Sequence, residues 1–506
     1  MFVLEQLRKF AETDRIALVN REEKLSFREL NSRSESFAVW LLEHFGDDRS
    51  PVVIYGRKET DFLACIYGTL KSGRPYIPID TATPPGRAME ILNDVSPKVI
   101  VNFSGNKLSV RATVLDGASL PAVLQFPSKA EIPSEIWASG EQTAYILFTS
   151  GSTGKPKGVP ITVNNLTSFY HGLLPYMEES GDVILNQVSY SFDVSGCSVY
   201  AGLSRGMTLF TVDSEMLDDM GALFDFLRDS GLTTWVSTPS FAELCIQSPK
   251  FSGRMMPALR CFMFCGEVLT HKLCDGLAER FPGASILNTY GPTEATVLVT
   301  AVWINAEMRL SSRSIPIGQP LETVELRIVD EHNYPVMQNE VCGELLILGD
   351  SVGPGYHECP DLTEQRFFEE SYAGKRGYRT GDICYHRDGL YYYTGRADNQ
   401  LKLNGYRVEI EDIENNLTRV ENISRAAVVP VLEQGRVQYL AAFLLLEKDD
   451  GLTPLKRSVQ IRQRAAAYLP AYMIPRKLVA VDAFPLNLSG KVDKRELAAR
   501  LNGTTP

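Results

Sequence analysis

Short apolar runs bounded by turn residues alternate with amphipathic helical stretches over the first two thirds of the chain. The runs "PVVIYG" (51–56), "KVIVNF" (98–103), "AYILF" (144–148) and "SILNTY" (285–290) predict strands. Between "CFMFCGEVL" and "SILNTY" lies "THKLCDGLAERF". There Leu273, Leu277 and Phe281 recur every four residues on one helical face, and Thr270 stands where an N-cap belongs. Strand, helix and strand in succession predict a fold of the α/β class, mixed with α+β elements.

After about residue 310 the texture changes. "VELRIVD", "GELLILG" and "GLYYYTG" are strand-like runs separated by Gly, Asp and Asn without long helices between them, which predicts an antiparallel β subdomain. From "EIEDIENNL" onward helices and strands mix again. The polar stretch "GRADNQLKLNG" (395–405) is the best candidate boundary, so the expected organisation is a core of residues 1–397 and a smaller α+β domain of residues 398–506.

Composition narrows the class. At 506 residues and 44% hydrophobic content the chain can bury a large core. No run approaches the ~18 apolar residues of a membrane-spanning helix. Glu5, Arg8 and Lys9 stand where a secretory signal would carry its apolar segment, so a cytoplasmic protein without membrane insertion is expected. The cysteines are odd in number with no CxxC pair and the histidines are scattered, so free thiols are expected and a structural zinc site is not. A formal charge of −11 argues against nucleic acid as a partner.

The first candidate chemistry is "FTSGSTGKPKG" (148–158), which directly follows the run "AYILF". A strand feeding such a loop presents free backbone N–H groups, and Ser, Thr and Lys add donors and charge, which is what a triphosphate requires. The P-loop pattern does not fit, because Gly154–Lys155 is followed by Pro156 and Thr149 stands where the first Gly should. Taken alone, the loop reads equally as a nucleotide cradle or a surface turn.

Four more stretches follow in order: "NTYGPTE" (288–294), "YRTGD" (378–382), "GRADNQLKLNGYRVEIEDIE" (395–414) and "PLNLSGKVDK" (485–494). With the loop, they resemble the signatures of the adenylate-forming superfamily, which includes acyl-CoA synthetases, luciferases and the adenylation domains of nonribosomal peptide synthetases. "NQVSYSFDVS", "STPSF", "FMFCGEVL", "NTYGPTEATV" and "LPAYMIPRK" are similar to stand-alone D-alanine–carrier protein ligases. The resemblance implies two half-reactions: a carboxylate attacks the α-phosphate of ATP to give an acyl adenylate, and a thiol then attacks the adenylate.

By that resemblance Thr149, Ser150, Gly151, Ser152, Thr153 and Gly154 hold the β- and γ-phosphates, while Lys155 and Lys157 assist electrostatically. Asn288 bonds the adenine, Thr289 and Tyr290 flank it with Tyr290 stacking, Thr293 touches the α-phosphate and Glu294 holds Mg²⁺. Asp382 takes the ribose hydroxyls with help from Arg396. Lys491 bridges carboxylate and α-phosphate during adenylation. Its domain must then rotate away about a hinge at Asp398, so the C-terminal domain is expected to be mobile. The residue types suit these tasks: an amide for a base edge, a ring for its face, a carboxylate for a hard cation.

Asp193 is implied to pair with a substrate ammonium, which ligases of fatty or aromatic acids do not need. The other pocket positions are Val194, Cys197, Ser237, Met263, Cys265, Gly266, Thr289, Val297 and Leu298, none able to pair a charged side chain. A small neutral amino acid is therefore expected. Cys265 matches the thiol that D-alanine ligases place against the substrate α-carbon. Leu298 stands where a small Ala is expected and Val194 and Cys197 where Leu and Met are, which leans the expectation to glycine, as in the related ligase of lipid A modification. D-alanine is the alternative. The acceptor is expected to be a phosphopantetheinylated carrier protein supplied in trans. An acyl-CoA ligase, and a binding or regulatory protein that kept the fold without catalysis, are the rivals.

Overall fold

The structure, a computed structural model, describes all residues except 128–130, 152–153, 178–181, 214, 371–373, 398–399, 404, 434–435, 449, 486–491 and 502–506. Expectations for Ser152, Thr153, Asp398 and Lys491 thus lie outside the described residues. The chain forms two compact units, one of residues 1–81, 96–147 and 158–397, the other of residues 82–95, 148–157 and 398–506.

A nine-stranded sheet dominates the first unit, in the spatial order Gln319–Pro320, Thr300–Trp303, Ser285–Tyr290, Cys261–Phe264, Thr234–Ser237, Val183–Asn186, Thr208–Thr211, Ile16–Val19 and Lys24–Ser26. Its six central strands run parallel, while the edges Thr300–Trp303, Gln319–Pro320 and Lys24–Ser26 are antiparallel. Parallel strands are covered on both faces, so they read as unbroken apolar runs: Cys261–Phe264 and Thr234–Ser237 are buried throughout. The crossover helix His271–Arg280 buries Leu273, Cys274 and Leu277, and the Thr270 hydroxyl accepts from Leu273 N at 3.3 Å, as the four-residue spacing predicts.

A six-stranded sheet follows the order Thr113–Leu115, Val99–Asn102, Val52–Gly56, Tyr76–Asp80, Thr143–Thr149 and Lys157–Thr162. The third sheet is antiparallel: Val324–Val329, Gly343–Gly349, Lys375–Arg387 and Phe367–Glu370, with Leu390–Arg396 also paired to Lys375–Arg387. "YRTGD" sits inside its longest strand, Lys375–Arg387. A register shift at Ile383/Cys384 interrupts its ladder with Leu390–Arg396 just beyond the motif.

In the second unit the hairpin Gln400–Leu403/Tyr406–Glu409 leads into the helix Ile410–Leu417. The long strands Ile423–Glu433 and Arg436–Leu446 pair antiparallel, and Lys477–Ala480 adds in parallel. The helix Pro85–Val95 belongs to this unit, where Arg87 meets the buried Asp412 at 3.1 Å. Part of the stretch read as a polar linker is therefore a hairpin: Gln400 and Leu403 are buried in it, with Gln400 bonded to Glu409.

Candidate functional site

Parallel sheets bind ligands beyond the carboxyl ends of their strands, where the strand order reverses. Here the reversal falls at Val183–Asn186, with the next strand in sequence on one side and Thr234–Ser237 and Cys261–Phe264 on the other. Asp193 follows that strand, Ser237 ends the second, Cys265 and Gly266 follow the third, and Tyr290 ends the fourth. The topology gathers residues far apart in sequence at one edge.

The end of the site that holds Asp193 is built largely from backbone shape. Cys197–Gly202 is a π-helix, all six residues buried. Such turns are rare and collect at functional sites. Thr296 and Val297 both adopt positive φ, 61° and 70°, and Leu298 N donates to Thr296 O at 2.8 Å across Val297. A β-branched residue in a left-handed γ-turn stores strain of about 1–3 kcal/mol. Three contacts hold it: Thr296 Oγ1 donates to Ser351 O at 2.7 Å, Cys265 Sγ lies 3.8 Å from Val297 O, and Gly291 lets the turn approach. A Cβ on Gly291 would stand 2.4 Å from Leu298 Cα, so no other residue fits there without moving the turn.

Val194, Cys197, Met263, Cys265, Val297 and Leu298 share one apolar cluster, each at most 5% exposed. Gly266, at φ 93°, brings the backbone beside Thr238 and Val194. The hydroxyls of the cluster's polar neighbours are spent on backbone: Ser237 donates to Thr238 O and Thr289 to Phe264 O, both at 2.8 Å. Burial pushes the Cys197 thiol well above the usual range, with Cys265 and Asp193 adding to it.

The end of the site that holds Asp382 is built from charged and hydrogen-bonded side chains. Asp382, 4% exposed, accepts from the Tyr290 hydroxyl on one carboxylate oxygen and from Arg396 Nη1 at 2.6 Å on the other. Arg396 is itself tied to Thr380 O at 3.0 Å. Burial, then the Asp382 carboxylate, raises the Tyr290 phenol well above its ordinary pKa. Asn288 donates to Pro316 O at 2.7 Å, which fixes its amide plane. Glu294 is fully buried and accepts from the Tyr356 hydroxyl at 2.7 Å. One bond joins the two ends: Thr293 Oγ1 donates to Asp193 Oδ2 at 2.6 Å.

In the second unit, Ser150 Oγ donates to Arg407 O at 2.9 Å and accepts from Glu409 N at 3.2 Å. Lys157 is buried with Nζ 3.5 Å from Glu409, while Lys155 is exposed. Thr149 Oγ1 is buried and has no hydrogen-bond partner among the described residues.

Against known proteins, residues 5–357 match the AMP-binding enzyme family and residues 412–491 its C-terminal domain. The chain belongs to the AMP-binding enzymes. Within that family it is 38% identical over 504 residues to a D-alanine–D-alanyl carrier protein ligase of Bacillus licheniformis, covering 98% of this chain and 99% of the relative. A ligase of the same name from Bacillus anthracis is 37% identical, covering 99% and 100%. Among solved structures, a nonribosomal peptide synthetase protein containing adenylation and PCP domains superposes with TM-score 0.84 at 25% identity, covering 98% of this chain and 84% of that one. A Vibrio cholerae adenylation domain in complex with glycyl-adenosine-5'-phosphate gives TM-score 0.82 over 99% and 97% of the two chains. At 23% identity it shows the common fold.

In this AMP-binding enzyme, hydrogen bonds within the first unit link Asp193 to Thr293 and Asp382 to Tyr290 of the same sequence motif. Sequence reading passed over Tyr356, whose only signal is an aromatic residue inside the Gly/Pro-rich "GPGYHE". It also passed over the strained turn, which no residue type announces. No helix among the described residues is long and apolar enough to cross a membrane.

Proposed function

We propose that this AMP-binding enzyme activates D-alanine with ATP and transfers it to the phosphopantetheine thiol of a separate carrier protein. The observation that carries this reading is Asp193, hydrogen-bonded to Thr293 of the nucleotide motif and beside a pocket of apolar and thiol side chains. A carboxylate so placed suits a substrate bearing an ammonium and a small neutral side chain. The names of the 37–38% identical relatives support D-alanine. They give no support to the glycine expectation drawn from Leu298, so D-alanine takes its place.

In the first half-reaction a substrate carboxylate oxygen attacks the α-phosphorus, and the bond to the leaving pyrophosphate breaks. Asp193 pairs with the ammonium and aims the carboxylate. Thr293, released from Asp193, turns its hydroxyl to the α-phosphate. Asp382 accepts from the ribose hydroxyls, anchored by Arg396. Thr149 and Ser150 grip the leaving phosphates. Glu294 fits a Mg²⁺ held mainly by phosphates: it offers one buried carboxylate, and no group of three or more candidate ligands stands together among the described residues. When bound, the ion offsets phosphate charge. Lys491 stabilises the charge moving between carboxylate and phosphate. Rotation about Asp398 then admits the thiol, whose sulfur attacks the adenylate carbonyl and displaces AMP. Consumption of ATP and need of a free thiol suit a reaction in the cytoplasm.

The test is a mass spectrum of a phosphopantetheinylated carrier after incubation with enzyme, ATP, Mg²⁺ and D-alanine, with free CoA in a parallel tube. One alanyl thioester per carrier and unmodified CoA support the reading. Alanyl-CoA without carrier loading contradicts it.

A further inference from the structure

We propose that Lys58 is a positioning residue for amino-acid recognition, pinning the segment 186–190 that sets the place of Asp193. The inference rests on the reading of Asp193 as the partner of the substrate ammonium.

Lys58 follows the strand Val52–Gly56 of the six-stranded sheet and is 7% exposed. Its Nζ donates to Asn186 Oδ1 at 2.7 Å and to Val188 O at 2.6 Å, and lies 3.8 Å from the centre of the Tyr190 ring. All three contacts fall on one short segment. Asn186 is in turn braced, donating to the Tyr190 hydroxyl at 2.9 Å and to Thr211 Oγ1 at 3.1 Å. From the same sheet as Lys58, Asp80 at the end of Tyr76–Asp80 accepts from the Ser189 hydroxyl. Two strand ends of one sheet thus hold a loop of the other.

The position of this loop explains why a charge is used. The strand Val183–Asn186 pairs with both neighbours, but its ladder with Thr208–Thr211 ends at Asn186 and its pairing with Thr234–Ser237 lies at Ile184. Residues 187–192 have no strand partner, and Asp193 lies at their far end. Beyond the pinned residues the chain turns tightly: Phe192 N donates to Ser189 O at 3.0 Å and Gly196 N to Asp193 O at 2.7 Å. A shift at Val188 therefore passes to Asp193 with little slack. A buried ammonium is expensive unless its donors are satisfied, and here two oxygens and a ring face satisfy it. Burial pushes the Lys58 pKa well down and Asp80 opposes that shift. An apolar side chain would fill the space without fixing the loop.

Amino-acid-dependent ATP–pyrophosphate exchange tests the proposal with Lys58→Met, Ser189→Ala and Asp193→Asn beside the wild type. For Lys58→Met the KM for D-alanine rises about tenfold or more, because a displaced binding group loses contact strength steeply with distance. Its KM for ATP and its kcat at saturating D-alanine stay within about threefold. Ser189→Ala shows a smaller rise in the same direction. If Asp193→Asn raises the KM for D-alanine and Lys58→Met does not, the role of Lys58 is overturned. If Lys58→Met lowers kcat and raises both KM values together, its role is structural and the proposal also falls. Should Lys58→Met fail to fold by circular dichroism, Ser189→Ala decides, and an unchanged KM overturns the proposal. If Asp193→Asn has no effect, the reading of Asp193 itself fails.

Discussion

On the proposed reading, the two ends of the site solve their recognition problems by different means. At the nucleotide end the work is done by side chains whose chemistry is evident from type: Asp382 between Tyr290 and Arg396, and Glu294 against Tyr356. At the amino-acid end only Asp193 acts by charge. The remainder is backbone geometry, a π-helix at Cys197–Gly202 and a strained turn at Val297, closed over by apolar side chains. A nucleotide carries many polar groups, so directional side-chain bonds can read it. A methyl group has none, so shape must read it.

The comparison breaks most visibly at Asp193. Losing one partner of a desolvated charge pair costs about 3–4 kcal/mol, so Asp193→Asn should lower kcat/KM for D-alanine on the order of 10²–10³-fold. Steady-state pyrophosphate exchange should show KM for ATP nearly unchanged. Asp382→Asn should do the reverse. With the ribose hydrogen bonds weakened by about 1.5–3 kcal/mol, KM for ATP rises about 10–100-fold while KM for D-alanine holds.

A subtler effect lies in the bond between Thr293 and Asp193, which either ligand must break before the other binds at full strength. The first ligand bears that loss, so ATP analogue and D-alanine should bind with positive coupling. The ceiling is the worth of a charge-assisted hydrogen bond, about 1.5–3 kcal/mol. Titration calorimetry should find the coupling in the wild type and not in Thr293→Val.

Replacing Val297 by Gly relieves turn strain but removes a buried side chain and adds freedom to the unfolded chain, so stability should fall by about 1–3 kcal/mol. Discrimination between D-alanine and larger D-amino acids should also fall about three- to tenfold, measured as a ratio of kcat/KM values.

The smallest effect is chemical. Raised pKa values mean fewer thiolates at a given pH. Burial holds Cys245 and Cys274 at about 12 and Cys197 well above its usual range. At pH 8 iodoacetamide should label the exposed Cys342 first and leave those three unmodified until the protein unfolds.

How far the sequence could be read follows the same division. Strand positions such as Ser285–Tyr290 and the helix His271–Arg280 were legible because burial on both faces or on one face imposes a period. Asn288, Tyr290, Glu294 and Asp382 stood out in the sequence because the tasks proposed for them demand their residue types. The π-helix, the turn at Val297 and the pin at Lys58 did not. Each depends on contacts between segments more than 50 residues apart or on a backbone angle that Val normally avoids, and neither leaves a local pattern. The hairpin at Gln400–Leu403 was hidden for a related reason: its buried Gln400 is polar and finds partners across the turn, at Arg407 and Glu409.

The most direct measurement is ATP–pyrophosphate exchange by wild type and Asp193→Asn with D-alanine, glycine, L-alanine, serine and proline. The expected result is that D-alanine drives the fastest exchange and that the substitution abolishes this preference while ATP still binds. A preference for any amino acid larger than alanine, or exchange indifferent to Asp193, would contradict the account.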